Sequence, residues 1–162
     1  MKSKKYTLIV LMPLLLAACS HSIATEVEIE APADRVWAEL AAFDTYGDWN
    51  PFVRRLEMQG ALAVGEGIEV EIAPPGGDPM VFHPVITEVA PGRVFEWEGQ
   101  LLIPGIFTGR HRFELVELAP GKTLLKHSER FHGILVPIFD FTATLAGFEA
   151  MNAKLKERAE GK

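Results

Sequence analysis

Gly109-Arg110-His111-Arg112-Phe113-Glu114-Leu115-Val116-Glu117-Leu118 and Lys122-Thr123-Leu124-Leu125-Lys126-His127-Ser128-Glu129-Arg130-Phe131 decide how this chain folds. Phe113 and Leu115 in the first segment, and Leu125 and Phe131 in the second, sit at the two-residue period of a strand with one buried face. Only Ala119, Pro120 and Gly121 lie between the segments, which predicts an antiparallel hairpin. If all three form the loop, Leu118 faces Lys122, Leu115 faces Leu125, Phe113 faces His127 and His111 faces Glu129. Apolar parity then agrees across the pair, whereas a two-residue loop sets apolar faces against polar ones, which the pleat disfavours.

Working outward, Pro74-Pro75-Gly76-Gly77, Pro91-Gly92 and Pro104-Gly105 punctuate the chain. They mark off residues 80–89 and 93–101, both of strand length and rich in Val, Ile, Phe or Trp. Upstream, Ile68, Val70 and Ile72 alternate with Glu69 and Glu71, and Val27 and Ile29 alternate with Glu26, Glu28 and Glu30. The strands therefore read as an antiparallel meander preceded by one strand at residues 25–30. Between them, Pro32 and Asp34 suit the first turn of a helix, and Val36, Trp37, Leu40 and Phe43 recur at helical spacing up to about Gly47. Tyr46, Trp49 and Asn50 read as locks on the turn that follows. Over residues 140–160 the pattern is helical again, with Phe141, Leu145, Phe148, Met151 and Leu155 on one stripe and Lys154, Lys156, Glu157 and Arg158 off it. The class is α+β.

Lys2, Lys4 and Lys5 precede an uncharged, mostly apolar run of 13 residues, 6–18, interrupted by Pro13. This is the layout of a secretory signal, and it falls short of the roughly 20 residues a membrane-crossing helix needs. Leu16-Ala17-Ala18-Cys19 resembles the lipobox of bacterial lipoproteins, which implies acylation of Cys19, the single cysteine. An ordinary signal cleaved after an A-x-A-like site is the alternative. The expected organisation is a signal peptide over residues 1–18, a short polar tether over 19–23 and one domain over 24–160. Residues 19–162 carry 13 basic and 22 acidic residues, a net charge of −9, so neither nucleic acid nor anionic lipid headgroups are expected partners. No disulfide can form within a mature chain holding one cysteine, and stability has to come from apolar burial. A monomer is expected. With Ser20 after the cysteine, similarity to other lipoproteins implies the cell envelope, and in a Gram-negative cell the periplasmic side of the outer membrane.

Ile29-Glu30-Ala31-Pro32-Ala33-Asp34-Arg35-Val36-Trp37 and Tyr46-Gly47-Asp48-Trp49-Asn50-Pro51-Phe52 are similar to the first strand, helix start and following turn of the START and Bet v 1 group, the SRPBCC superfamily. Gly109-Arg110-His111-Arg112-Phe113 and His127-Ser128-Glu129-Arg130-Phe131 resemble its polyketide cyclase-like branch. The resemblance covers residues 24–160 and implies the helix-grip fold, a curved antiparallel sheet wrapped around a long C-terminal helix. It implies no cofactor and no metal site. Activity does not follow, because the superfamily hosts carriers, receptors and enzymes alike.

A sheet that curves without closing, with a helix laid across its open side, leaves a concave apolar space, the default location for a small ligand. Alternation places Val70, Phe95, Trp97, Phe113 and Phe131 on the inner face, and Phe141, Leu145 and Phe148 close it from the helix. Any one of these also serves plain core packing. His111, His127 and Glu129 share that apolar parity, and burying such groups without partners costs about 1–3 kcal/mol each. The expectation is that Glu129 accepts a hydrogen bond from His111 or His127 on the cavity wall. That cluster is a polar anchor, an acid–base pair, or a satisfied network that fixes register. The same residue types occur in metal triads, but the superfamily pattern has no such site. His83 lies on a strand apolar on both faces, so its direction is unreadable. Three functions remain: a membrane-tethered carrier of a small lipophilic ligand, a cyclase or dehydratase using His111, His127 or Glu129, and a structural envelope lipoprotein. Residues 101–109 would form a mobile apolar loop near the mouth.

Overall fold

The computed structural model describes residues 19–101 and 103–162, so the expected signal segment lies outside the described residues. The chain is α+β. In order it forms β1 (Ser20–Ile29), α1 (Ala33–Leu40), a 3₁₀ turn at Phe43–Thr45, α2 (Tyr46–Trp49), β2 (Val53–Met58), β3 (Ile68–Ile72), β4 (Met80–Phe82), β5 (Val85–Ala90), β6 (Val94–Leu101), β7 (Phe107–Ala119), β8 (Lys122–His132), a second 3₁₀ turn at Val136–Ile138, and α3 (Thr142–Glu160). Five strands pair in the order β1-β8-β7-β6-β5 and three in the order β2-β3-β4, every pairing antiparallel. The sheets meet where Gly67 bridges Val85 and Ile68 N–H donates to the Pro84 carbonyl at 2.9 Å.

The hairpin register is the one parity demands: His111 faces Glu129, Phe113 faces His127 and Leu115 faces Leu125. The route to it differs from expectation. Ala119 faces Lys122, and a bulge between Glu117 and Ala119 absorbs Leu118, so Leu118 does not face Lys122 and only Pro120 and Gly121 turn the corner. A bulge adds one residue to one strand, which restores the parity a two-residue turn would break. On the other face, Arg112 Nη1 donates to Glu96 Oε2 at 3.0 Å and Arg110 Nη2 to Glu98 Oε2 at 2.7 Å, so the polar parity forms a charge ladder across strands.

Other boundaries shift for identifiable reasons. β1 begins at Ser20, which faces His132, so residues 20–23 of the expected tether are strand. Pairing with β8 outweighs their polar composition. Residues 80–89 form two strands in different sheets because Pro84, which cannot donate to a ladder, separates β4 from β5. β2, which sequence alternation did not reveal, carries the mixed pattern of Val53-Arg54-Arg55-Leu56-Glu57-Met58 and pairs with β3 through a register shift between Val53 and Arg55. Tyr46 Oη donates to the Leu40 carbonyl at 2.5 Å, and Asn50 Oδ1 accepts from the backbone of Phe52 and Val53 at 3.0 and 2.9 Å. These bonds lock the turn.

α3 lies against the concave side, burying Phe148, Met151 and Leu155 completely, while Leu145 is half-buried. Gly147 is needed for the approach: a Cβ there would stand 2.1 Å from the Phe52 ring, which packs edge-on against Phe148 at 5.4 Å. The helix ends at Gly161, whose left-handed φ of 73° suits a C-terminal cap.

Candidate ligand cavity and its buried polar chain

Between the concave sheet and the start of α3 lies a cavity of about 260 Å³. Of the residues predicted to line it, Val70, Trp97, Glu129, Phe131 and Phe141 do so. Phe95, His111, Phe113, His127 and Phe148 sit in the packed core instead, each no more than 1% exposed. Leu145 borders a broader surface groove of about 490 Å³, which also touches Cys19, Ser20 and His21 and shares Phe139, Asp140 and Phe141 with the cavity. Phe52, Phe82, Phe107 and Phe139 were not foreseen on the wall. Phe107 was findable, since it continues the odd parity of Phe113 and Leu115. Phe139 had no signal, because it arrives on a connection without periodicity.

Strand register explains the arrangement. Trp97, His111, Glu129 and Ile23 form one row across β6, β7, β8 and β1, and Phe95, Phe113, His127 and Thr25 form the next. All of the first row face inward, with His111 stacked on the Trp97 ring at 4.4 Å. The connections at the open end are tied together: Ile134 N–H donates to Gly105 O and Leu135 N–H to Ile106 O, both at 3.1 Å, and Gly133 N–H donates to Cys19 O at 3.1 Å. The loop expected to be mobile is therefore hydrogen-bonded to the β8–α3 connection.

A chain of polar groups runs from the cavity wall into the core. Glu129 Oε2 lies 3.3 Å from His111 Nδ1 without accepting a hydrogen bond from it, and Nδ1 is buried without a hydrogen-bond partner. His111 Nε2 is 2.7 Å from His127 Nε2, and His127 Nδ1 is 2.8 Å from Asn152 Oδ1. Asn152 Nδ2 donates to Thr25 Oγ1 at 2.7 Å. His127 thus bonds His111 and Asn152 rather than Glu129, and neither histidine reaches the cavity. Asn152 and Thr25 escaped the sequence reading. Each carried a signal: Asn152 falls four residues after Phe148 on the apolar stripe, and Thr25 shares parity with Val27 and Ile29.

Burial sets the protonation states. It pushes His111 down from its ordinary 6.5 to about 3. Burial, reinforced by the neighbouring His111, holds His127 well below its usual range, and the Asn152 hydrogen bond only partly opposes this. Glu129, whose side chain keeps 13% of its surface, is pushed up to about 8, also by burial. At neutral pH the chain is uncharged, and the Glu129–His111 contact is not an ion pair. His83 is exposed, with Nε2 3.2 Å from Glu69 Oε2, and does not line the cavity. Among the described residues no cluster of three or more His, Cys, Asp or Glu is arranged to hold a metal ion.

A curved sheet gripping a terminal helix, with a mostly apolar cavity between them, defines the helix-grip class of folds. The chain belongs to the family described as polyketide cyclase / dehydrase and lipid transport, which matches residues 20–160. No curated protein matches the sequence. Among solved structures, norcoclaurine synthase from Thalictrum flavum in complex with dopamine and hydroxybenzaldehyde superimposes with a TM-score of 0.65 at 18% identity, covering 99% of both chains. The Zhui aromatase/cyclase from Streptomyces sp. R1128 gives 0.65 at 16% identity, covering 86% of this chain and 96% of that one. A START superfamily protein from Mycobacterium smegmatis gives 0.68 at 21% identity, covering 87% and 98%. At these identities the likeness is one of fold.

Proposed function

We propose that this protein holds a small lipophilic molecule in the cavity between its concave sheet and α3, and that a lipid on Cys19 tethers it to a membrane of the cell envelope. The observation that carries the binding role is the cavity itself: about 260 Å³ walled by Val70, Trp97, Phe107, Phe131 and Phe141, with Glu129 as a convergent polar group. Native mass spectrometry of the protein purified from its own membranes tests this. A co-purifying small apolar mass supports a carrier, whereas a protein that stays empty and fails to take up any apolar probe ends the proposal.

The tether rests on Leu16-Ala17-Ala18-Cys19 and is supported by what surrounds Cys19. Ile103, Ile134, Ile138 and Phe139 are exposed, by 63%, 44%, 76% and 43%, on the two connections that meet beside Cys19 and the cavity mouth. Apolar side chains clustered at a rim suit contact with a bilayer surface more than with water. No helix among the described residues is long and apolar enough to cross a membrane, so the acyl group would supply the anchor. Metabolic labelling with a radioactive fatty acid checks it: label must enter the wild type and be lost with Cys19→Ser.

The Glu129–His111–His127 chain favours a second reading, a cyclase- or dehydratase-like enzyme in which Glu129 moves a proton on a bound ring precursor. Glu129→Gln separates the two. Turnover in the wild type that is lost from the variant while binding is retained marks an enzyme, and binding by both with turnover by neither marks a carrier.

A further inference from the structure

The direction of every hydrogen bond in the buried chain is set from its inner end. Asn152 Nδ2, a donor only, is 2.7 Å from Thr25 Oγ1, so the amide oxygen that faces His127 Nδ1 at 2.8 Å accepts. His127 therefore carries its proton on Nδ1 and a lone pair on Nε2. His111 Nε2, 2.7 Å from that lone pair, must be the donor, which leaves the lone pair of His111 on Nδ1. Nδ1 is the buried atom with no hydrogen-bond partner, and Glu129 Oε2 stands 3.3 Å from it. A carboxylate would set lone pairs against each other there; a carboxylic acid brings the one proton the chain lacks. The burial that raises Glu129 supports the acid form. With Oε2 given to His111, the other oxygen, Oε1, packs against Gly109 on the cavity wall, so close that a Cβ at Gly109 would stand 2.5 Å away. Oε1 makes no hydrogen bond among the described residues, so it is a carbonyl-like acceptor still awaiting a donor.

We propose that Glu129 presents this uncharged acceptor to the cavity and that the ligand is an apolar molecule carrying a hydroxyl group, an alcohol, phenol or enol, bound with its O–H directed at Oε1. The inference rests on the cavity being the binding site. No Lys, Arg or His lines the cavity to neutralise an anion, and a carboxylate ligand would instead meet Glu129 inside and Asp140 at the rim. A buried acceptor without a protein partner discriminates strongly against analogues that cannot donate to it.

Three probes test it on the full chain carrying Cys19→Ser, which removes the proposed acylation point at a residue that precedes β1: naphthalene, 2-methoxynaphthalene and 2-naphthol, titrated at pH 6.5 and followed by fluorescence. 2-Naphthol should bind at least tenfold more tightly than its methyl ether. Glu129→Gln, whose amide can donate to His111 Nδ1 and keep a carbonyl toward the cavity, should retain that preference, and Glu129→Leu should abolish it. Equal binding of all three probes to the wild type leaves the cavity reading standing and overturns the hydroxyl assignment, as does a preference that survives in a folded Glu129→Leu. Binding of none overturns both. An infrared band of a protonated carboxyl at pH 6.5, present in the wild type and absent from Glu129→Gln, is expected as well; its absence from the wild type overturns the proposal without reference to any variant's folding.

Discussion

His127 is held on both ring nitrogens, by Asn152 at 2.8 Å and by His111 at 2.7 Å, in a site with no access to water. Replacing Asn152 by Leu strands the Nδ1 proton, and a buried donor without a partner costs about 1–3 kcal/mol. His127→Phe with Asn152→Leu removes both partners, so the double variant should be less destabilised than the two single effects added together. Urea unfolding measures the cycle, and strict additivity would show that the bond contributes nothing specific. The titrations predict two opposing slopes. His111 has an ordinary pKa of 6.5 and a folded value of about 3, so only the unfolded chain gains its proton in that window and stability falls as pH drops below 6.5. Glu129 moves the other way, from 4.5 to about 8: the folded state keeps a proton the unfolded state loses, so its contribution is present below 4.5 and is lost as pH rises toward 8. Glu129→Gln should therefore gain on the wild type between pH 5 and 9 in thermal melts. A wild-type-minus-variant difference that is flat across that range would contradict the raised carboxyl.

Among the elements, α3 depends on close approach to the turn that precedes β2. A Cβ on Gly147 would stand 2.1 Å from the Phe52 ring, so Gly147→Ala should destabilise by roughly 1–3 kcal/mol, the usual range for overpacking, despite the better helix propensity of Ala. Phe52→Leu in the same chain should recover part of the loss. If Gly147→Ala instead melts higher than the wild type, propensity outweighs packing here and the account of the helix–sheet contact is wrong. β7 and β8 show how register is defended. The bulge that absorbs Leu118 keeps His111 opposite Glu129 despite a two-residue turn, so deleting Leu118 should leave an unbulged hairpin with the same facing pairs, Glu117 with Thr123 and His111 with Glu129. A retained cooperative unfolding transition is the expected result, and its loss would contradict this account of the register.

At the scale of the whole molecule, the cavity mouth, the exposed Ile103 and Ile138 and the backbone of Cys19 occupy one end. Under the proposed tether at Cys19, a ligand of low solubility would enter from the bilayer and never cross water. Ile103→Asp with Ile138→Asp should slow transfer of an apolar fluorescent probe from phosphatidylcholine vesicles to the acylated protein by about tenfold while leaving its final occupancy unchanged, because two charges at a bilayer contact are costly and the cavity is untouched. Unchanged transfer would place the entrance elsewhere.

Period-two alternation in residues 109–131, the stripe on α3 and the proline–glycine breaks were enough to read an α+β chain, because local periodicity records which face is buried; the grip itself was implied by the family resemblance. The facing of His111 and Glu129 was legible for the same reason. Sequence could not show that β1 starts at Ser20, that Leu118 bulges, or that residues 80–89 divide between two sheets, since each outcome depends on pairing with distant strands. Nor could it assign His127 to Asn152 instead of Glu129: parity gives the face of a side chain, while the partner on that face is supplied by a helix 25 residues away in sequence. The identity of the residues determined what could be buried; only their meeting in three dimensions decided which of them were left facing an unfilled space.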